Sequence, residues 1–330
     1  MDFFTYLKAP KSSIDISHQD YLILFGSCFA ESIGNRLAEH KFQVDINPFG
    51  VLYNPKSILT SIRSLLTPLN KTKDDLFYHE GLFHSFSHHS SFSDISETAC
   101  LTNINSRIKA SADNLNKATR LLITFGTAFV YNLKKTGEVV ANCHKLPAGN
   151  FEHRSLSVTE IVNEWHQLLS VLFERNKKLK IIFTVSPIRY WKDGAHENQL
   201  SKATLLLAIN ELQKQYPEQI SYFPAYELMM DELRDYRFYA EDMFHPSETA
   251  IQYIWEYFSH TYMNQPTQQL TKEIENILRL INHKPFNPQS ESYKQFVTQT
   301  LLKIEQFNRN RPYLCFKKEV EILKKNIQDK

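Results

Sequence analysis

Two short blocks of this 330-residue chain hold side chains that together could perform nucleophilic chemistry. Near its start stands Gly26-Ser27-Cys28-Phe29-Ala30, directly after the apolar run Tyr21–Phe25. Phe29, Ile33 and Leu37 recur at four-residue spacing, with Glu31 in what would be the first turn, so a helix is predicted to begin at the cysteine. Unpaired backbone N–H groups at such a terminus lower a thiol pKa from about 8.5 towards neutrality. Gly26 permits the tight turn from strand into helix. The bland alternative is a small buried hydrophobe, which free cysteines usually are. Late in the chain stands Glu241-Asp242-Met243-Phe244-His245-Pro246-Ser247. A histidine acting as base needs a carboxylate on its other ring nitrogen, and an Asp three residues earlier supplies one. Here the bland alternative is an exposed loop in which Asp242 merely caps something. A thiol and an oriented imidazole, taken together, imply acyl transfer or ester hydrolysis.

The elements that must position these groups alternate between strand and helix. Short apolar, β-branched runs at Tyr21–Phe25, Phe42–Ile46, Leu121–Phe125, Lys180–Val185 and Gln219–Phe223 predict strands of a parallel sheet covered on both faces. Ser157-Val-Thr-Glu160 has capping-box spacing ahead of Ile161, Trp165, Leu168, Leu169 and Leu172. A second helix is expected from about Asn198 to Tyr216, and a third after His245-Pro246-Ser247, where proline suits a first turn. Lys135-Thr136-Gly137 reads as the turn of a small hairpin. Residues 54–120 carry few strand signals and a His/Ser-rich patch, and read as an insertion within a domain spanning 1–263. Residues 264–330 read as a helical extension, with helices at Leu270–Ile281 and Tyr293–Phe307 and a charged run from Lys317 as a solvated face. Cys28 would then sit at the carboxyl edge of the sheet, where open α/β sheets bind ligands.

Bulk properties narrow the class. A net charge of +2, with no basic cluster interleaved with aromatics, argues against a nucleic-acid partner. No apolar run approaches a membrane span, and the first residues lack the pattern of a secretory signal. Four cysteines without paired spacing suggest reduced thiols in a cytoplasm. Cys143-His144 and the set His84, His88 and His89 show no zinc-ligand spacing, and His88–His89 reads as lining a lid or facing solvent. No cofactor or metal is implied, and eight glycines leave little room for a phosphate loop.

The two chemical blocks together resemble the SGNH, or GDSL-type, hydrolases. The chain is more closely similar to the GSCFA family, through the pentapeptide Gly26–Ala30 and through Asn47-Pro-Phe-Gly-Val-Leu-Tyr-Asn-Pro55, Thr124-Phe-Gly-Thr127, Val140-Ala-Asn-Cys-His144, Thr184-Val-Ser-Pro187 and Asn198-Gln-Leu-Ser-Lys202. That resemblance implies a flavodoxin-like three-layer αβα fold with a five-stranded parallel sheet. Aligning Phe-Gly-Ser-Cys on the hydrolases' F-G-D-S puts Cys28 in the nucleophile slot, with Ser27 as the alternative, and His245 and Asp242 as base and orienting acid. The superfamily's oxyanion hole implies donors at the nucleophile N–H, a glycine and an asparagine. Gly50 is expected to supply the glycine. Gly126 stands in the third block, where the usual asparagine is absent, leaving Asn142 or Asn47 to replace it, with His144 beside them in the binding set.

The resulting expectation is an ester or thioester hydrolase or acyltransferase working through an acyl-enzyme. Its substrate would be a small-molecule or carbohydrate acyl ester, or an acyl-CoA. A non-catalytic ligand-binding or carbohydrate-binding protein on the same fold, and a metal-dependent hydrolase using Cys28, Cys143, His144 and His245, are the competing readings.

Overall fold

The computed structural model describes residues 4–8 and 12–328. In chain order the strands are β1 (Tyr21–Gly26), β2 (Gln43–Ile46), β3 (Phe77–His79), β4 (Leu82–His84), β5 (Arg120–Phe125), β6 (Phe129–Leu133), β7 (Val139–Val140), β8 (Phe151–Ser155), β9 (Lys180–Val185) and β10 (Ile220–Phe223). The helices are α1 (Cys28–Glu39), α2 (Pro55–Leu66), α3 (Glu97–Lys117), α4 (Val158–Arg175), α5 (Ala195–Gln215), the short α6 (Ala225–Glu227), α7 (Glu248–Tyr262), α8 (Gln265–Ile281), α9 (Glu291–Asn310) and α10 (Lys317–Gln328).

Five strands, in the order β10-β9-β5-β1-β2, form one parallel sheet. This is the flavodoxin-like doubly wound order, with the five expected strand segments in it. Both faces are apolar because successive residues along each strand point into different cores. Ile23, Phe25, Ile123 and Phe183 pack under α2–α5, whereas Leu22, Leu24, Leu122 and Ile182 pack under α1 and α7. The register aligns the carboxyl ends, pairing Gly26 with Thr124 and Phe125 with Val185. Ser27, Gly126 and Ser186, each following its strand, therefore emerge along one edge. The strand order reverses between β1 and β5, the place where such sheets open a crevice.

Several local expectations stand and others are corrected. Ser157 and Glu160 form the capping box that starts α4. The hairpin β6–β7 forms around residues 134–138, and β8 joins it as a third antiparallel strand. Pro246, however, is not in a helical first turn. It is buried, paired with Tyr239, and precedes the true cap, Ser247, whose hydroxyl accepts from the Ala250 N–H at 3.3 Å. Residues 54–120 supply α2 and α3, which pack within the main core, and only the β3–β4 hairpin with its loops lies off the sheet. His88 does not face solvent. It is buried and stacked on Phe49, and desolvation pushes its imidazole down to about 3.

The C-terminal helices have their own apolar core around Ile274, Ile277, Val297, Ile304 and Leu323. Leu323 is fully buried, so the run from Lys317 is solvated on one side only. This unit is fastened to the end of α1 by His40 Nε2 on Glu275 at 2.9 Å and by Lys41, which pairs with Glu319 and lies 4.9 Å from the Phe316 ring centre. No helix of the described residues is long and apolar enough to cross a membrane.

Candidate active site

Gly26 makes the turn that presents Cys28. Its φ is +143°, and a Cβ there would lie 2.4 Å from the Thr124 carbonyl oxygen, so β1 and β5 could not pair as they do with any other residue. Asn47 braces the turn from β2's end, its Oδ1 accepting from the Gly26 N–H at 3.0 Å. Ser27 is the cap of α1. It is 2% exposed, accepts from the Phe29 N–H at 3.3 Å and donates to Ser186 Oγ at 3.2 Å. Cys28 is the first helical residue and is partly exposed. The register thus gives the hydroxyl to the framework and the thiol to the surface of the cleft. As the leading N–H of α1, the Cys28 amide has no partner within the helix.

The imidazole comes from the loop ahead of α7. His245 Nδ1 and Asp242 Oδ2 are 2.6 Å apart, and Asp242 Oδ1 accepts from the backbone N–H groups of Phe244 and His245, each at 2.9 Å. Those N–H bonds, then the His245 ring, hold the Asp242 carboxyl down at about 2. With a carboxylate on Nδ1, the proton is assigned there and Nε2 is left as an acceptor. The loop is closed on itself by the Ala240 N–H on the His245 carbonyl at 2.7 Å and the Ser247 N–H on the Phe238 carbonyl at 2.8 Å.

Cys28 and His245 line the same cleft, of about 300 Å³, with Ser27, Tyr53, Gly126, Thr127, Ser186, Arg189, Trp191, Lys192 and Phe244 also in its walls. Among the described residues no hydrogen bond joins the two side chains. Catalytic contacts are often loose before a substrate is bound. Tyr53 was not singled out by sequence reasoning, although it lies within the 47–55 block. Burial, and then the neighbouring Cys28 sulfur, push its phenol above the ordinary range, which keeps it a hydroxyl donor. Its carbonyl accepts from the N–H groups of Gly126, at 2.7 Å, and Thr127, at 3.0 Å.

The other expected donors lie elsewhere or are engaged. Gly50 is outside the cleft wall, and its N–H donates to the Asn47 carbonyl at 2.8 Å, closing a turn in which Gly50 has φ +76°. Asn142 turns back on its own chain, its Oδ1 accepting from the His144 N–H at 2.8 Å and its amide donating to Ser90. His144 is buried beside His84, with its Nε2 on the Ser85 carbonyl at 2.9 Å, and desolvation holds it down at about 4. Asn47 is buried with its Nδ2 unpartnered. Cys28 and His245 thus share a cleft from which His144 is absent. Among the described residues no group of three metal-ligating side chains converges.

α5 explains the Asn198–Lys202 segment. Asn198 Oδ1 accepts from the Tyr190 N–H at 3.0 Å, Ser201 Oγ accepts from the Ala128 N–H at 2.7 Å, and Lys202 Nζ donates to the carbonyls of Gly126 and Ser186 at 2.7 and 2.8 Å. These three side chains tie the loops after β5 and β9 to one helix face beneath the cleft. A model of the GSCFA family matches residues 21–258. The chain belongs to the GSCFA family. A second model, of the C-terminal domain of GSCFA proteins, matches residues 274–329 and so covers the second half of α8 together with α9 and α10.

Among solved structures, this GSCFA chain is similar to a carbohydrate esterase family 3 from Talaromyces cellulolyticus, at 9% identity over 78% of this chain and 99% of that one, with a TM-score of 0.32. It is also similar to a family two carbohydrate esterase from Clostridium thermocellum in complex with cellohexaose, at 12% identity over 82% and 67%, with a TM-score of 0.33. An acetyl xylan esterase from the rumen bacterium Butyrivibrio proteoclasticus aligns at 11% identity over 82% and 66%, with a TM-score of 0.35. Among curated proteins none matches.

Proposed function

We propose that this GSCFA protein is an acyl-transfer enzyme, a hydrolase or acyltransferase on an ester or thioester, with Cys28 as nucleophile. The observation that supports this reading is that Cys28, from the start of α1, and His245, paired with Asp242 in the loop before α7, line one cleft. In the proposed mechanism His245 Nε2 takes the thiol proton, and the sulfur attacks the acyl carbonyl to form a thioester. The same imidazole returns the proton to the leaving alcohol or thiol. Asp242 holds the tautomer and the imidazolium. The Cys28 N–H and the Tyr53 hydroxyl are the proposed oxyanion donors, each of a kind worth about 3 kcal/mol in such a site. A second acceptor, water or another nucleophile, then releases the acyl group. Because one thioester exchanges for another with little change in energy, a thioester donor suits a thiol nucleophile.

The test is a screen of the purified protein against short-chain aryl esters, acyl thioesters and acetylated sugars, with mass spectrometry to trap an acyl adduct. Activity is expected to fall about a thousandfold or more in both Cys28→Ala and His245→Ala, since nucleophile and base act as a unit. The adduct should map to Cys28. An adduct on Ser27 would move the nucleophile by one residue, and activity unchanged in all variants would favour a binding protein.

A further inference from the structure

Beyond Trp191 the cleft opens into a second hollow, of about 350 Å³, walled by Met230, Arg234 and Tyr236 and sharing Arg189, Trp191 and Phe244 with the first. Among the described residues no Asp or Glu lines either space. Arg189 is half-buried, yet among the described residues its guanidinium donates only to the Met230 sulfur, at 3.1 and 3.2 Å, and lies 5.7 Å from the Trp191 ring centre. A thioether is a weak acceptor and leaves a guanidinium largely unsatisfied. Comparably covered arginines elsewhere are paired, Arg107 with Asp45, Arg120 with Asp20 and Arg311 with Glu273. Neither Arg189 nor Arg234 forms an ion pair among the described residues. Two arginines without an ion-pair partner among the described residues thus stand in the walls of one hollow, and a guanidinium is the side chain whose planar fork suits carboxylate or phosphate. Exposed rings at its mouth, with Tyr236 75% and Trp191 42% accessible, offer flat apolar surface to the rest of such a molecule.

We propose that this hollow binds an anionic group of the acyl donor, a carboxylate or phosphate remote from the reacting carbonyl, held by Arg189 and Arg234 while the carbonyl meets Cys28. The identity of the ligand as an acyl donor rests on the acyl-enzyme reading, whereas the anion site itself does not. The site would convert binding energy from a non-reacting part of the substrate into placement of the carbonyl.

Two measurements on the full chain test it separately from catalysis. Titration calorimetry with glutarate and with inorganic pyrophosphate should show binding of at least one, and whichever binds distinguishes carboxylate from phosphate. Arg189→Gln and Arg234→Gln should each weaken that binding about tenfold or more. Arg234 is exposed, so its variant keeps the test valid if Arg189→Gln folds poorly. In parallel, the ratio of kcat/KM for mono-4-nitrophenyl glutarate to that for 4-nitrophenyl valerate should exceed ten if a carboxylate is the ligand, and should drop in Arg234→Gln. Anion binding that persists in both variants, or no binding of either anion, overturns the site. If the esters are nevertheless cleaved at Cys28, the acyl-enzyme reading survives that failure. Arginine-dependent anion binding without turnover of any ester sustains the site and counts against that reading.

Discussion

Asp242 does two separable things with its two oxygens. Oδ1 caps two backbone N–H groups and so shapes the turn, while Oδ2 faces the His245 ring. An asparagine can keep the first role through its own Oδ1. Its amide would donate to Nδ1, driving the ring proton to Nε2, where the proposed base needs a lone pair. Asp242→Asn should therefore lower kcat by about a hundredfold to ten-thousandfold while the thermal unfolding midpoint stays near the parent's. Steady-state kinetics and circular dichroism on one preparation check this. A variant that loses activity and midpoint together would show that the turn, not the tautomer, was disturbed. The carboxylate, held at about 2, stays ionised at every working pH, so acid should not switch the pair through Asp242.

At the level of elements, α5 acts as a clamp on two loops, and Lys202 is the most buried of its three clamping side chains. Burial pushes its ammonium down to about 7. Between about 7 and its ordinary 10.5 the unfolded chain holds a proton that the folded chain has released, so stability should rise with pH through that window. Lys202→Met should remove that rise and leave the Gly126 and Ser186 carbonyls without their donor, costing about 1–3 kcal/mol for each. Urea unfolding of parent and variant at pH 7.5 and 9.5 measures both effects. A parent whose midpoint does not move between those values would contradict the linkage. The five parallel strands were legible as apolar runs, and so were the starts of α1 and α4, because caps and periodicity are local. The same local reasoning misjudged Pro246, whose place is set by its pairing with Tyr239 across the loop. It also treated α3 as part of an insertion, since the Thr-, Asn- and Ser-rich surface of that helix hides the stripe Ile104, Ile108 and Leu115. Tyr53, Arg189 and Lys202 reach the site only through the sheet register, which no spacing within their own segments reveals.

For the whole molecule, acid should be the more damaging direction. His18, His88 and His144 are buried, and desolvation holds them at about 4, 3 and 4. As pH falls from about 6.5 the unfolded chain binds protons that the folded chain refuses, so stability drops continuously until the folded values are reached. Each histidine contributes at most about 1.4 kcal/mol per pH unit in that range. Guanidinium unfolding at pH 7.5, 6 and 5 should show midpoints falling together, and His88→Phe, which keeps a ring against Phe49, should flatten the slope. A parent equally stable at pH 5 and 7.5 would refute this account. The C-terminal helices have a core of their own, but their fastening to the end of α1 runs through His40 on Glu275 and Lys41 on Glu319, with Lys41 over the buried ring of Phe316. Their docking thus combines one ion pair, Lys41 on Glu319, with a hydrogen bond from His40 to Glu275 and a cation over an aromatic ring.

The turn that closes on itself around Asp242 and His245 has a consequence for how this site tolerates change. In many triads the acid and the base come from distant segments, so any drift of the scaffold degrades their alignment. Here the pair travels as a single cassette, four residues long and cross-braced by its own backbone. What the proposed mechanism still requires of the scaffold is one adjustable length, from the cassette to the sulfur of Cys28. The side chains of Phe244 within the cassette and Trp191 on the facing loop, with ring centres 6.3 Å apart, line the cleft between the cassette and Cys28 without bonding to Asp242 or the His245 ring. In the proposed mechanism, side-chain substitutions there should act as a gain control, altering reach while leaving acid–base character as it is.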